Sequence, residues 1–220
     1  MAKRIAVVDY CKGNLASVQR GLVGVGADAF ITDDADAIAT ADAIVLPGVG
    51  AFADAMGTMT ASGQAQAIRT AVEQGVPFLG ICLGMHLLFE TGDEGCAEGE
   101  RLEGLGILPG HVERVAAVDA SGAKHKIPHV GWNSVDFTPA GRQNPLLSGI
   151  ETGSYFYFTH SYNVAAANES QVIATTTHAR AFHCAVARDR VFGVQFHPEK
   201  SSTLGLKLLG NFAHIVEEMS

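Results

Sequence analysis

The chain has 220 residues, 47% of them hydrophobic and 17% charged, which fits one globular domain over residues 1–220 and excludes a fibre or a disordered segment. Its formal net charge of −8 argues against a nucleic acid or an anionic membrane surface as the main partner. The longest apolar stretch, residues 76–89, is too short for a membrane span and is interrupted by proline and glycine, so we expect no membrane association.

The first half of the chain alternates short apolar runs with segments of helical periodicity. Strands are predicted at residues 4–8, 29–31, 43–46 and 78–81. Helices are predicted from Leu15 onward, in a short alanine- and aspartate-rich segment after the second strand, and at residues 64–74 and 83–90. Because strands alternate with helices, this half predicts a parallel sheet covered by helices.

The second half of the chain changes to one strand after another. Strands are predicted at residues 107–115, 127–137, 155–164, 172–177, 183–187 and 191–197, and a closing helix at residues 204–219. The predicted fold class is therefore α/β, with a mostly parallel central sheet covered by helices and antiparallel strands added in the C-terminal half.

Cys82 stands between two glycines in the sequence Gly80-Ile81-Cys82-Leu83-Gly84, at a predicted junction of strand and helix. This pattern is the cysteine form of the G-x-S-x-G nucleophile elbow, in which a sharp turn holds the nucleophile clear of the sheet. Glycine is favoured on both sides because a Cβ there would collide with neighbouring backbone. Helix N-terminal amides behind the residue would stabilise negative charge at the site. The alternative is a structural cysteine buried in an apolar strand.

His197 and Glu199 follow the last predicted strand on either side of a proline. Residues two apart on a strand point the same way, so both side chains are expected to reach one site. A cysteine nucleophile needs an imidazole to exchange its proton, and the imidazole needs a carboxylate to orient it. Cys82, His197 and Glu199 supply these three roles, although a His-Pro turn beside a solvated glutamate remains the simpler alternative.

The loop Pro47-Gly48-Val49-Gly50 follows the third predicted strand. In a parallel sheet it emerges at the same edge as Cys82. Small residues there let backbone N–H groups approach a substrate and stabilise a developing oxyanion. An ordinary glycine turn between a strand and a helix is the alternative interpretation.

These motifs together resemble the class I (triad) glutamine amidotransferases. The resemblance is carried by PGVGAF, GICLGMH and GVQFHPEKS, and it extends from about residue 5 to the C-terminal helix. Within that family, residues 9–15, 128–133 and 158–162 look like the glutaminase subunits that supply ammonia to a cyclase of histidine biosynthesis. The resemblance implies that Cys82 attacks the side-chain amide of glutamine, and that a water activated by His197 hydrolyses the resulting thioester.

The resemblance also implies roles for residues around the triad. Backbone N–H groups of the oxyanion hole would come from Val49, Gly50 and Leu83. Contacts to glutamine would come from Gly48, His86, Glu94, Ser161 and Tyr162. The position of His86 is more usually glutamine in relatives, and imidazole has one polar group fewer and can titrate, which leaves the role of His86 open.

A partner and an interface are implied in the same way. The partner is a separate cyclase subunit with a (β/α)8 barrel, which receives the ammonia, and no cofactor is implied. The interface candidates by analogy are Asn14, His129, Trp132, Asn133 and Lys200. Three alternatives stay open: a glutaminase subunit of another amidotransferase, a catalytically silent regulatory subunit, and a stand-alone thiol hydrolase.

The remaining cysteines and histidines point to no further site. Four cysteines without a C-x-x-C pair predict reduced thiols and a cytoplasmic location. His178, His183 and Cys184 lie near one another in the sequence, but their spacing matches no known ligand pattern. We therefore expect no metal site.

Overall fold

One connected sheet of thirteen strands organises the part of the chain that the computed structural model describes, residues 3–97 and 99–218. In chain order the strands are β1 (Arg4–Val8), β2 (Asp28–Thr32), β3 (Ala43–Gly48), β4 (Phe78–Cys82), β5 (Phe89–Gly92), β6 (Leu102–Glu103), β7 (Leu108–Arg114), β8 (His129–Phe137), β9 (Ser154–His160), β10 (Tyr162–Ala166), β11 (Val172–Thr177), β12 (Ala181–Arg188) and β13 (Val191–Val194). The α-helices in the same residues are α1 (Leu15–Gly24), α2 (Ala35–Ala39), α3 (Phe52–Ala61), α4 (Gln64–Glu73), α5 (Leu83–His86) and α6 (Ser202–Glu217).

The strand order β2-β1-β3-β4-β13 forms the parallel part of the sheet. Its central strands are continuous apolar runs because helices cover both faces, with α1 and α6 on one face and α2, α3 and α4 on the other. Gly48 at the end of β3 is in register with Cys82 at the end of β4. The glycine loop and the cysteine therefore leave the sheet at the same edge, where open α/β sheets bind ligands.

The antiparallel part of the sheet begins at β12, which pairs with β13. One branch continues from β12 through β10, β7, β5 and β6, and the other through β11, β8 and β9. The second branch is antiparallel throughout, whereas β5 runs parallel to β7 in the first. The predicted α/β fold with antiparallel strands added in the C-terminal half is confirmed.

The predicted helix over residues 83–90 is wrong beyond His86. The chain leaves α5 after one turn, and Phe89 begins β5, which pairs with β7. The apolar run shows neither helical nor strand periodicity clearly, because every residue from Leu83 to Phe89 is buried. The pairing with a strand some twenty residues later decides the structure here, and it leaves no trace in local periodicity.

Two predicted strands in the second half also differ from the structure. The predicted strand over residues 155–164 is divided at Ser161 into β9 and β10, which pair with different neighbours. The predicted strand over residues 191–197 ends at Val194, and a 3-10 turn follows at Pro198–Lys200. The first break lies at Ser161 and the second shortly before His197, and both fall at the edge of the sheet where Cys82 emerges.

Helix α3 has no counterpart among the predictions. It contains Gly57 and two threonines, which are poor helix formers, and it is held by the burial of Phe52, Met56 and Met59. The closing helix is observed as α6, and its predicted end at Met219 lies outside the described residues. No helix in residues 3–97 and 99–218 is long and apolar enough to cross a membrane.

Candidate active site

The chain turns sharply at Cys82, between the end of β4 and the start of α5. Cys82 has φ 55° and ψ −109°, a conformation that residues other than glycine rarely adopt. The flanking glycines are required by the same turn, because a Cβ on Gly84 would collide with the carbonyl oxygen of Leu46, and a Cβ on Gly80 with that of Gly84. A strained backbone at a nucleophilic residue, closed in by glycines, is the geometry of a nucleophile elbow.

His197 and Glu199 form a buried pair directly after β13. Nδ1 of His197 lies 3.0 Å from Oε1 of Glu199, and both side chains are almost fully buried. The sequence predicts that strand alternation brings the two side chains together. In the structure the 3-10 turn at Pro198–Lys200 does so instead, by returning Glu199 to the imidazole. Because a carboxylate can only accept, His197 donates from Nδ1, and its Nε2 is left to exchange a proton elsewhere.

The sulfur of Cys82 is the group that faces His197. Burial lowers the pKa of His197, but Cys82 and Glu199 raise it to about 9, so the imidazole is cationic at neutral pH. Its Nε2 is buried and makes no well-aligned hydrogen bond to any described residue. Catalytic hydrogen bonds are often misaligned in this way until a substrate is bound. Cys82, His197 and Glu199 are thus close together, in an arrangement suited to proton transfer.

A pocket of about 430 Å³ opens beside Cys82 at the carboxyl edge of the sheet. Its wall includes most of the residues that the sequence assigns to the oxyanion hole and to glutamine: Val49, Gly50, Leu83, His86, Glu94, Ser161 and Tyr162. Gly48 lies outside this wall. A Cβ on Gly48 would collide with the hydroxyl of the buried Tyr10, so packing alone requires glycine there.

Glu94 joins the pocket to the loop that precedes α3. Its Oε2 accepts a hydrogen bond from the backbone N–H of Phe52 at 3.3 Å, and its carbonyl oxygen accepts one from Ala53 at 3.2 Å. Burial raises the pKa of Glu94 to about 7, with Asp93 adding to the rise and the Phe52 hydrogen bond opposing it. The carboxyl group therefore lies at the N-terminus of α3 and at the pocket wall, and it titrates near neutral pH.

His86 is buried and contacts Gln195, which was not among the predicted site residues. Nε2 of His86 lies 2.7 Å from Oε1 of Gln195, and Nε2 of Gln195 lies 3.7 Å from the sulfur of Cys82. Burial lowers the pKa of His86 to about 4, against the effect of the Gln195 hydrogen bond, so the imidazole is neutral. Its Nδ1 is buried without a hydrogen-bond partner among residues 3–97 and 99–218.

A chain of hydrogen bonds connects β8 to the backbone of the pocket wall. Nδ1 of His160 donates to the carbonyl oxygen of Tyr162 at 2.7 Å, so Nε2 of His160 accepts from Nδ1 of His129 at 2.9 Å. Asn133 then donates to Nε2 of His129 at 3.4 Å. Burial lowers the pKa of His160 to about 3 and that of His129 to about 4, so both are neutral and the chain runs in one direction.

An exposed, largely apolar surface lies on β8, β9 and the adjoining 3-10 turn, near the pocket. We call it the β8–β9 patch, and it consists of Val130, Trp132, Tyr155, Tyr157 and Lys200. Val130 is 56% exposed, Trp132 53% and Tyr155 58%. The rings of Trp132 and Tyr157 lie 6.2 Å apart, and Nζ of Lys200 lies 5.8 Å from the centre of the Tyr157 ring. Exposed aromatic and aliphatic groups clustered in this way are typical of a protein-binding surface.

The other interface candidates are less exposed than this patch. Asn14 is partly exposed in the turn before α1, and the neighbouring Gly13 packs against Gly48. Asn133 is also partly exposed, whereas His129, the first residue of β8, is buried. The side chains of His129 and Asn133 point to the opposite face of β8 from Val130 and Trp132, so these assignments stay predictions.

Two contacts of the Cys82 sulfur were not predicted from the sequence. These are the side chain of Gln195 at 3.7 Å and the carbonyl oxygen of Thr159 at 3.9 Å. Gln195 carried a usable signal, because it is a lone amide in a buried apolar run, two residues before His197. Thr159 carried none, because its contact is made by the backbone.

The residues considered for a metal have other environments. His178 stacks on His129 at 4.3 Å between ring centres, His183 lies 3.5 Å from Glu169, and Cys184 is buried in the core. Across the described parts of the chain, no group of three or more His, Cys, Asp or Glu side chains could hold a metal ion.

Comparison with known proteins agrees with this geometry. A family model described as glutamine amidotransferase class-I matches residues 6–216. The chain is 46% identical over 212 residues to the imidazole glycerol phosphate synthase subunit HisH of Moorella thermoacetica, covering 96% of this chain and 95% of that protein. It is 47% identical over 208 residues to the subunit of the same name from Salinibacter ruber, covering 94% of this chain and 92% of that protein.

Solved structures share the fold at lower identity. A crystal structure of a glutamine amidotransferase superposes with a TM-score of 0.70 at 20% identity, covering 96% of this chain and 98% of that one. A chain in the structure of PurLQS from Thermotoga maritima superposes with a TM-score of 0.68 at 19% identity, covering 98% of this chain and 99% of that one. From the family match and the full-length relatives, the chain belongs to the class I glutamine amidotransferase family.

Proposed function

We propose that this chain is the glutaminase subunit of an imidazole glycerol phosphate synthase. It hydrolyses glutamine and passes the ammonia to a cyclase subunit, which makes imidazole glycerol phosphate and an aminoimidazole carboxamide ribotide in histidine biosynthesis. The observation that carries the proposal is the strained Cys82, which stands beside the His197–Glu199 pair and opens into a pocket. The full-length relatives named HisH support the choice of this synthase.

In the first step the Cys82 sulfur attacks the side-chain amide carbon of glutamine. The carbonyl oxygen becomes an oxyanion, which backbone N–H groups at Val49, Gly50 and Leu83 stabilise. The C–N bond then breaks, His197 gives its Nε2 proton to the departing nitrogen, and ammonia and a γ-glutamyl thioester are formed.

In the second step a water attacks the thioester. His197 takes one proton from the water, and the C–S bond breaks with its electron pair going to the Cys82 sulfur. The acid that forms loses its proton to solvent and leaves as glutamate. Glu199 holds the imidazole through Nδ1 in both steps and stabilises its cationic form.

Glutamine lies in the pocket with its side chain toward Cys82. The carboxyl of Glu94, at the pocket wall, is suited to the ammonium group of the substrate, and Ser161 and Tyr162 supply polar contacts from the break between β9 and β10. Gly48 and His86 complete the binding residues, Gly48 by keeping the glycine loop close to Cys82.

The partner is a cyclase subunit with a (β/α)8 barrel, and the β8–β9 patch is the surface that it covers. Asn14, His129 and Asn133 are further interface candidates by analogy with relatives. The hydrogen-bond chain from Asn133 through His129 and His160 to Tyr162 connects the opposite face of β8 to the pocket. The four free cysteines fit work in the reducing cytoplasm.

The test uses the chain together with its cyclase partner. Cys82→Ala should abolish activity with glutamine and leave activity with ammonium salts intact, because the cyclase does not need the thiol. Cys96→Ala, at a partly exposed cysteine in a loop, is the matched control and should retain both activities. Loss of both activities in Cys82→Ala, or glutamine turnover that survives it, would refute the proposal.

A further inference from the structure

We infer that His86 is a positioning residue that holds the side-chain amide of Gln195 so that this amide donates a hydrogen bond to the sulfur of Cys82. The inference deepens the proposed function and rests on Cys82 acting there as a thiolate nucleophile. Three side chains form the array: His86 and Gln195 lie 2.7 Å apart, and Gln195 and the sulfur lie 3.7 Å apart.

The chemistry of the sulfur fixes the orientation of the amide. A thiolate carries no proton and can only accept a hydrogen bond, so the NH₂ group of Gln195, and not its carbonyl oxygen, must face Cys82. The carbonyl oxygen Oε1 then faces His86. At 2.7 Å from an acceptor, Nε2 of His86 must carry a proton and donate it.

His86 is the donor that holds the amide in this orientation. Gln195 is completely buried and His86 is 3% exposed, so little solvent reaches their contact. Without a donor at His86, the buried Oε1 of Gln195 would lose its hydrogen-bond partner, and the amide would be free to rotate away from the sulfur. The hydrogen bond from its NH₂ group to Cys82 would then be lost.

The neutral state of His86 fits this role. The proton on Nε2 is used by Gln195, and Nδ1 remains an unprotonated acceptor that is buried and unpaired within the described residues. A second positive charge beside His197 would be unfavourable in the same buried region. His86 therefore acts on Cys82 through a hydrogen bond and not through charge.

The test measures thiolate reactivity directly, on the full chain and without glutamine. Iodoacetamide alkylation of Cys82 is followed at pH 6.5 by mass spectrometry of the peptide that contains it, in wild type, His86→Leu and His86→Gln. Leucine removes the donor that holds the amide and should slow alkylation about tenfold, because the hydrogen bond from Gln195 to the charged sulfur is then lost as well. Glutamine can donate from its own NH₂ group and should restore most of the rate.

Two further variants keep the test decisive. His214→Gln, at an exposed histidine on α6, is the matched control and should react like wild type. If His86→Leu does not fold, His86→Met is measured instead, and it should also slow alkylation because a thioether cannot donate to Oε1 of Gln195.

Equal rates in wild type and His86→Leu would overturn the inference, as would a His86→Gln variant as slow as His86→Leu. If His86→Leu does not fold, a wild-type rate in His86→Met would overturn it. These results are separable from the proposed function, because alkylation needs neither glutamine nor the cyclase. If the chain lacks glutaminase activity but His86→Leu still slows alkylation, the hydrogen-bond array stands and the proposed function fails. If the chain has glutaminase activity but His86→Leu reacts like wild type, the proposed function stands and the inference fails.

Discussion

Replacing His86 by glutamine should make the protein less sensitive to acid. Burial holds the pKa of His86 at about 4 in the folded protein, whereas a histidine in the unfolded chain has a pKa of 6.5. As the pH falls below 6.5, the unfolded chain binds a proton at this position and the folded protein does not. His86 therefore favours unfolding progressively between pH 6.5 and about 4, and above pH 6.5 it costs little.

The loss of unfolding free energy depends on how far the pH lies below the pKa of histidine in the unfolded chain. Each pH unit below the unfolded pKa changes the free energy of unfolding by about 1.4 kcal/mol, as long as the folded histidine stays neutral. At pH 5, about 1.5 units below 6.5, the cost is about 2 kcal/mol for a fully buried group. This is a substantial part of the roughly 5–15 kcal/mol that stabilises an ordinary domain.

Urea unfolding at pH 7 and pH 5 measures this difference. Between the two pH values the wild type should lose about 2 kcal/mol more of its unfolding free energy than His86→Gln does. Glu94, His160 and His197 also titrate differently in the folded and unfolded chain, but they are present in both proteins and cancel in the comparison. Parallel pH dependence in the two proteins would show that His86 is protonated when folded, and the reasoning about its neutral state would be wrong.

Two further substitutions test the site. Glu199→Gln should lower kcat for glutamine about 10²- to 10⁴-fold in the presence of the partner and change KM little. The reason is that the carboxylate, 3.0 Å from His197, orients the imidazole but has no proposed contact with substrate. A near-normal kcat would count against the triad. Gly48→Ala should lower the free energy of unfolding by about 1–3 kcal/mol because its Cβ meets the hydroxyl of Tyr10, and Tyr10→Phe in the same chain should recover part of that loss in thermal or urea unfolding. A Gly48→Ala protein as stable as wild type would contradict the packing argument.

The elbow at Cys82 could be predicted because its causes are local. A nucleophile in such a turn needs a glycine two residues before it and two residues after it, and Gly80 and Gly84 meet this need. The apolar residues of β4 mark a buried strand. The end of α5 could not be predicted in the same way. Its apolar run continues into β5, and only pairing with β7 decides where helix gives way to strand.

The contact between His197 and Glu199 arises from a different geometry than the sequence predicts. Strand alternation predicts that both side chains face one site, and they do lie together, but a 3-10 turn brings them there. A separation of two residues is compatible with either path, so the sequence distinguishes the partners and not the conformation between them.

The environment of His86 lay beyond sequence reasoning. Its position near Cys82 follows from the spacing of the motif, whereas its contact with Gln195 joins residues 109 apart in the chain. Burial then sets its charge, and burial is a property of the packed molecule. The same holds for the chain from Asn133 through His129 to His160, which needs β8 and β9 to pair in one particular register.

The central claim is that Cys82 is a nucleophile at the end of a glutamine pocket. It is tested most directly with a glutamine analogue whose side-chain amide is replaced by a chloromethyl ketone, followed by peptide mass spectrometry of the labelled chain in complex with its partner. We expect one label, on Cys82, that excess glutamine suppresses. A label on Cys11 or Cys96 in preference to Cys82, or labelling of Cys82 that glutamine does not slow, would contradict the claim.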